Sequence, residues 1–250
     1  MKKIHILLAC VLYFGFAKTK AQSPPYSGTI FVNPDIITSD APSTLESTTY
    51  IGRGEREVYD RRVKDWIKVQ AYLFKIIWND DLQAEVVVNP EFGSVAAATV
   101  EAEKYAYLIG QLPHRLRTEV KKIAIHKGKE LFGGGEDGLL IHTAQADEYE
   151  ADGILEETLA HEATHASLQA QGELADWIAA QKKDKRFIST YAAERPQTED
   201  VAESFLMWLA VRYKSDKIPS GDFNVITKTI PHRLKYFDQQ HFDMYPLKMP

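Results

Sequence analysis

The sequence predicts an α+β chain in which a small mixed sheet is followed by a mainly helical C-terminal part. Three observations carry that expectation. The run Leu155 to Gln169 contains neither Gly nor Pro and reads as one helix, with His161, Glu162 and His165 upon it. Between Trp66 and Val88, β-branched and aromatic residues flank the turn signal Asn79-Asp80-Asp81, which marks a hairpin. A second apolar stretch, Glu199 to Tyr213, has helical spacing and carries Glu199 and Glu203 on one face.

The first 21 residues are expected to be removed before the chain folds. Lys2 and Lys3 precede the apolar run Ile4 to Ala17, and Thr19-Lys20-Ala21 offers small residues ahead of a cut between Ala21 and Gln22. Leu7-Leu8-Ala9-Cys10 allows a lipoprotein reading as an alternative. The apolar run is too short for a membrane span, so the expected address is secreted or periplasmic. Cys10 is the only cysteine, and its loss leaves no disulfide and no thiolate for a metal. Lys2, Lys3, Lys18 and Lys20 leave with it, taking the formal charge from −5 to about −9. Such an acidic chain does not invite nucleic acid or anionic membrane as a partner. What remains suits one domain with a sizeable core, divided as an extended arm over 22–54 and a domain over 55–250.

The elements follow in order. From Gln22 to Gly54, Pro, Ser, Thr and Asp dominate, with one β-prone patch at Thr29 to Val32. This reads as an arm lying on the domain, whose trimming is expected to spare fold and site. The arginine-rich lead-in at Arg61 and Arg62 is compatible with helix. Trp66 to Trp78 and Ala84 to Val88 then form the hairpin, closed by Asn89-Pro90-Glu91-Phe92-Gly93. Ser94 caps a helix that Pro113 ends after Leu112, and Leu116 to Val120 makes a short helix or turn. Lys122 to His126 and Gly138 to His142 read as strands. Gly133-Gly134-Gly135 between them reads as a loop, since no Lys-Ser/Thr pair follows to make a phosphate cradle. Asp152-Gly153 introduces the long helix and Gly172 breaks it. Glu173 to Lys183 is a further helix, and Lys182-Lys183-Asp184-Lys185-Arg186 an exposed linker. Thr198 is expected to cap the helix Glu199 to Tyr213, which buries Val201, Phe205, Trp208 and Leu209. Beyond Pro219 only Arg233 to Gln240 reads clearly as helix.

His161-Glu162-Ala163-Thr164-His165 has the H-E-x-x-H spacing of a zinc hydrolase. Residues four apart share a helical face, so two imidazoles aim at one ion, with Glu162 beside them as general base and not as ligand. Zinc needs a third protein ligand and an open fourth position for water. Either Glu199 or Glu203 can supply the third ligand, and the other is placed to accept a hydrogen bond from the free nitrogen of a ligating His.

The H-E-x-x-H run followed by Glu199-Asp200-Val201-Ala202-Glu203 resembles the gluzincin branch of the zincin metallopeptidases. The segment Tyr191-Ala192-Ala193-Glu194-Arg195-Pro196 leading into it is similar to the lethal factor and Pro-Pro endopeptidase group. The likeness covers roughly 123–213. It implies a zincin-like fold over 55–250 and one Zn2+ held by His161, His165 and Glu199. It also implies Glu203 as a supporting carboxylate, and Tyr191 as a group that stabilises the oxyanion. In that family the strand before the active-site helix borders the cleft and pairs with extended substrate. The resemblance therefore places a peptide along an edge strand at Leu139 to Thr143. His142, on that edge, reads as a solvated side chain, with a role at the cleft as the other reading.

The function expected from these readings is a secreted zinc endopeptidase. A non-catalytic metal-binding recognition domain, or a zinc hydrolase of a non-peptide amide such as cell-wall material, stays open beside it.

Overall fold

The computed structural model describes residues 23–136 and 138–248; the expected signal segment, 1–21, lies outside them. The chain is α+β, a six-stranded mixed sheet with helices packed on one face. Its strands are β1 (Leu45–Asp60), β2 (Asp65–Trp78), β3 (Gln83–Val88), β4 (Lys122–His126), β5 (Gly133–Gly135) and β6 (Gly138–His142), in the spatial order β1-β2-β3-β4-β6-β5.

The predicted hairpin is the β2–β3 pair, antiparallel with Tyr72 opposite Val88 and Ile77 opposite Gln83. Alternation along β2 sends Tyr72, Phe74, Ile76 and Trp78 into the main core, while Ala71 and Leu73 join Val58, Val87 and Ala124 on the reverse face. A crossover through α1 (Val95–Gly110) and the short α2 (His114–Arg117) makes β3 and β4 parallel. Ser94 caps α1 as expected, its hydroxyl accepting from the Ala97 N–H at 3.1 Å.

Three expectations about strands need correction. The arm read over 22–54 contains the start of β1, which pairs with β2 from Leu45 onward, and Ile36 and Ile37 are wholly buried. Arg61 and Arg62 form the turn between β1 and β2, not a helix. Gly133-Gly134-Gly135 is not a loop but β5, antiparallel to β6, so β6 lies between β4 and β5 and is not an edge. Among the described residues β1 forms the far edge of the sheet, and the edge on this side is β5. Glycine there answers a close approach: a Cβ on Gly134 would sit 1.8 Å from the Glu162 carbonyl oxygen.

The second half is helical. Thr143–Ala151 forms α3, which the sequence did not announce because its polar run shows no apolar stripe and buries only Ala146. The long helix α4 (Leu155–Leu168) ends in a 3-10 turn at Gln169–Glu173, close to the expected break. After it come α5 (Ala175–Asp184), α6 (Thr190–Glu194), α7 (Asp200–Tyr213), α8 (Ser220–Thr229) and α9 (Pro231–Asp238). Every residue of α7 from Asp200 to Val211 is buried, which makes it the central helix of the core. Glu199, not Thr198, occupies its N-terminal boundary. The linker read at Lys182 to Arg186 is only partly exposed. The Asp184 side chain is fully buried against Arg233, at 3.1 Å.

Candidate metal centre

Helix α4 packs between β5 and α7. Its buried Thr158 and Thr164 hydroxyls return hydrogen bonds to Ile154 and Ala160 carbonyls at 2.8 Å, so the helix enters the core without orphaned hydroxyls. At the start of α7, Asp200 is buried and accepts from Arg233 Nε at 2.8 Å and from Gln181 Nε2 at 3.0 Å. This ion pair pins the chain beside Glu199.

His161 and His165 point the same nitrogen at one place. Their Nε2 atoms lie 3.1 Å apart, and Glu199 Oε2 stands 3.4 Å from the first and 3.2 Å from the second. A tetrahedral ion with ligands at about 2.0–2.1 Å holds them roughly 3.3–3.4 Å from one another. The triangle therefore has the size of three corners of such a site.

The groups on the far sides of the rings bear on which nitrogen offers its lone pair. Gln169 Nε2 donates to the Gln197 carbonyl at 3.1 Å, which turns Gln169 Oε1 toward His165 Nδ1, 3.0 Å away. That Nδ1 is then the donor and Nε2 the lone pair. His161 Nδ1 faces Glu203 Oε1 at 3.6 Å, an arrangement that favours the same tautomer. Glu199 Oε2 is buried and faces the two Nε2 atoms. Two lone pairs and a carboxylate oxygen aimed at one point repel unless a cation lies among them. The group His161, His165 and Glu199 can hold a metal ion.

The same geometry shifts the titration of the metal-free centre. Burial pulls the His165 pKa down, but hydrogen bonds to Glu199 and Gln169 and the charges of Glu162 and Glu199 outweigh it and raise the value to about 9. Glu199 is held well below the usual carboxylate range, since the two imidazoles overcome its burial. Glu203 goes the other way, its burial outweighing His161 and the Thr29 N–H.

The centre opens on a cleft of about 1190 Å³ lined by His161, Glu162, His165, Glu199 and Tyr191, with all of β5 along one side. Tyr191 is 36% exposed, its ring covered by the Arg195 guanidinium at 4.8 Å. Burial and the charge of Glu199 raise the pKa of its phenol. The candidate residues of the sequence thus meet in one cleft, apart from His142. That side chain is buried, stacked on His126 with ring centroids 5.3 Å apart, and its Nδ1 faces the Lys127 carbonyl at 3.1 Å. It is neither solvated nor at the cleft.

Glu199 and Glu203 play different parts. Glu199 faces both Nε2 atoms, whereas Glu203 lies behind His161 and accepts from the Thr29 N–H at 2.9 Å. Gln169 and Thr29 escaped the sequence reading. Gln169 follows His165 at the same four-residue interval that found the histidines, so helical spacing was a usable signal. Thr29 acts through its main-chain N–H, which leaves no trace in a sequence. No protein-family model, curated protein or solved structure matches the chain.

Proposed function

We propose that the chain is an exported zinc endopeptidase of gluzincin type, acting on peptide laid in extended form along β5. One observation carries the reading. Three ligand atoms 3.1–3.4 Å apart converge at the floor of an open cleft, and Glu162, the next residue after one ligand, lines the same cleft without being a ligand. His161, His165 and Glu199 would hold the zinc. When bound, zinc supplies a Lewis acid that makes water a nucleophile near neutral pH.

The chain's own residues supply the rest. Glu162 takes a proton from the attacking water at its carboxylate and passes it to the leaving amine. Tyr191 offers its phenol O–H to the developing oxyanion, and its raised pKa keeps that proton in place. The outer edge of β5 has no paired strand among the described residues, so its main-chain groups suit a substrate backbone. Three glycines keep that edge free of side chains. Relative to the sequence expectation, the substrate moves from Leu139–Thr143 to Gly133–Gly135.

The test is a digest of mixed peptides by the zinc-loaded protein, read by mass spectrometry. Glu162→Gln is expected to keep zinc and lose about 10²–10⁴-fold in turnover. A recognition domain would bind zinc and peptide without cleavage. Full activity in Glu162→Gln would remove the general base.

A further inference from the structure

The segment before β1 was read as a covering arm, yet it reaches the metal centre. Tyr26 bridges Ser189 in parallel fashion. The Tyr26 N–H donates to the Ile188 carbonyl at 3.3 Å, and the Thr190 N–H donates to the Tyr26 carbonyl at 2.9 Å. The next bond bears on the site: the Tyr191 N–H donates to the Ser27 carbonyl at 3.0 Å. Two residues on, the Thr29 N–H donates to Glu203 Oε2 at 2.9 Å across 174 residues of chain. Outside the cleft, the Tyr26 hydroxyl donates to Asp222 at 2.9 Å and anchors the start of the strap.

Glu203 is 1% exposed, so its carboxylate depends on the few groups that reach it. One of its oxygens faces His161 Nδ1, the other is held by the Thr29 N–H, and the Ser189 hydroxyl also reaches the carboxylate. Thr29 therefore helps fix where Glu203 stands, and Glu203, 3.6 Å from His161 Nδ1, biases that ring electrostatically toward presenting Nε2 to the ligand group. Further along, Phe31 is 63% exposed and lines the cleft, and so does Leu131, 61% exposed, just before β5. Large apolar side chains left in water inside a cleft mark a surface built to be covered.

Resting on the zinc-peptidase reading, we propose that the strap Tyr26–Phe31 is a working part of the site. Thr29 is a positioning residue that acts through Glu203 on His161. Phe31 is a wall that receives an apolar side chain of the peptide substrate.

The test is a double-mutant cycle in the full chain. Thr29→Pro removes the N–H donor, and Thr29→Ala keeps it. Thr29→Pro is expected to weaken zinc binding by about 10–100-fold, the size of effect typical of groups that support a ligand. Thr29→Ala, which keeps the N–H but removes a hydroxyl near Glu203, is expected to lose less than Thr29→Pro. In a Glu203→Ala background, Thr29→Pro is expected to cost nothing further. Equal losses in both backgrounds would show that proline merely damages the fold and would overturn the positioning role. Should Thr29→Pro not fold, Tyr26→Phe runs through the same cycle, with a smaller loss that again vanishes in Glu203→Ala. The absence of any loss in wild type overturns the proposal.

Phe31→Ala, at an exposed position, is expected to raise KM about tenfold for peptides with an apolar residue and to leave kcat unchanged. An unchanged KM removes Phe31 from the site. Failure of the underlying reading looks different: the wild-type chain then binds no zinc, or binds it and cleaves nothing.

Discussion

The proton held by His165 makes metal loading and metal-free stability run in opposite directions with pH. Without metal, this imidazole titrates at about 9 against an ordinary 6.5. A raised folded value means the stabilisation is complete below pH 6.5 and is lost as pH climbs through 9. At 1.36 kcal/mol per pH unit the interval is worth roughly 3 kcal/mol. The side chain is only 14% exposed, so solvent screening takes little away. In a chain of this size, roughly 3 kcal/mol corresponds to about 6–12 °C in Tm. A zinc ion held by this group would have to displace that proton, so its affinity is expected to rise about tenfold per pH unit over the same interval and then level off. The assay is thermal unfolding in chelator from about pH 6 to about pH 10, paired with zinc competition titrations. Glu199→Gln is the reference, because it removes the nearest charge that sustains the shift. The wild type is expected to lose stability relative to Glu199→Gln through this window. Parallel curves for the two proteins, with zinc affinity independent of pH, would refute the reasoning.

Three other outcomes are expected. Glu157 is buried, and burial raises its pKa from 4.5 to about 8 against the Ile37 N–H that it accepts at 2.9 Å. Its stabilising contribution is complete below pH 4.5 and lost through pH 8, so Glu157→Gln should flatten the urea-unfolding profile there by about 1.4 kcal/mol per pH unit. Gly134→Ala drives a Cβ to 1.8 Å from the Glu162 carbonyl, whereas Gly135→Ala meets nothing within 4 Å. The first should lower Tm and abolish cleavage, and the second should leave Tm near wild type, measured by calorimetry, with cleavage followed by peptide digest. Arg233→Ala strands Asp184 and Asp200 without their buried partner. It should cost roughly 3–5 kcal/mol in denaturant unfolding, and it should weaken zinc binding by letting the start of α7 drift.

The parts of this fold legible in the sequence are those whose evidence is local. Leu155 to Leu168 declared itself through uninterrupted helix formers, and the hairpin around Asn79 through alternation and a polar break. Thr143 to Ala151 stayed hidden because its helix buries only Ala146 and so carries no stripe to detect. The triple glycine was misread for a similar reason. A strand is ordinarily betrayed by its side chains, and β5 has none; its identity lies in pairing with β6 and in close contact with Glu162. The resemblance places the edge at Leu139 to Thr143, and the pairing of β5 with β6 moves it one strand outward.

The sequence alone determined that two imidazoles would share one helical face, since His161 and His165 lie four apart, with Glu162 beside them. It also narrowed the third ligand to a pair one turn apart. The resemblance prefers Glu199 to Glu203, and tertiary packing supplies the physical distinction by setting one against the Nε2 atoms and the other behind a ring. Packing likewise carried Thr29 to Glu203 and Arg233 to Asp200. Those contacts join groups distant along the chain, and a buried charge takes whichever partner the fold delivers.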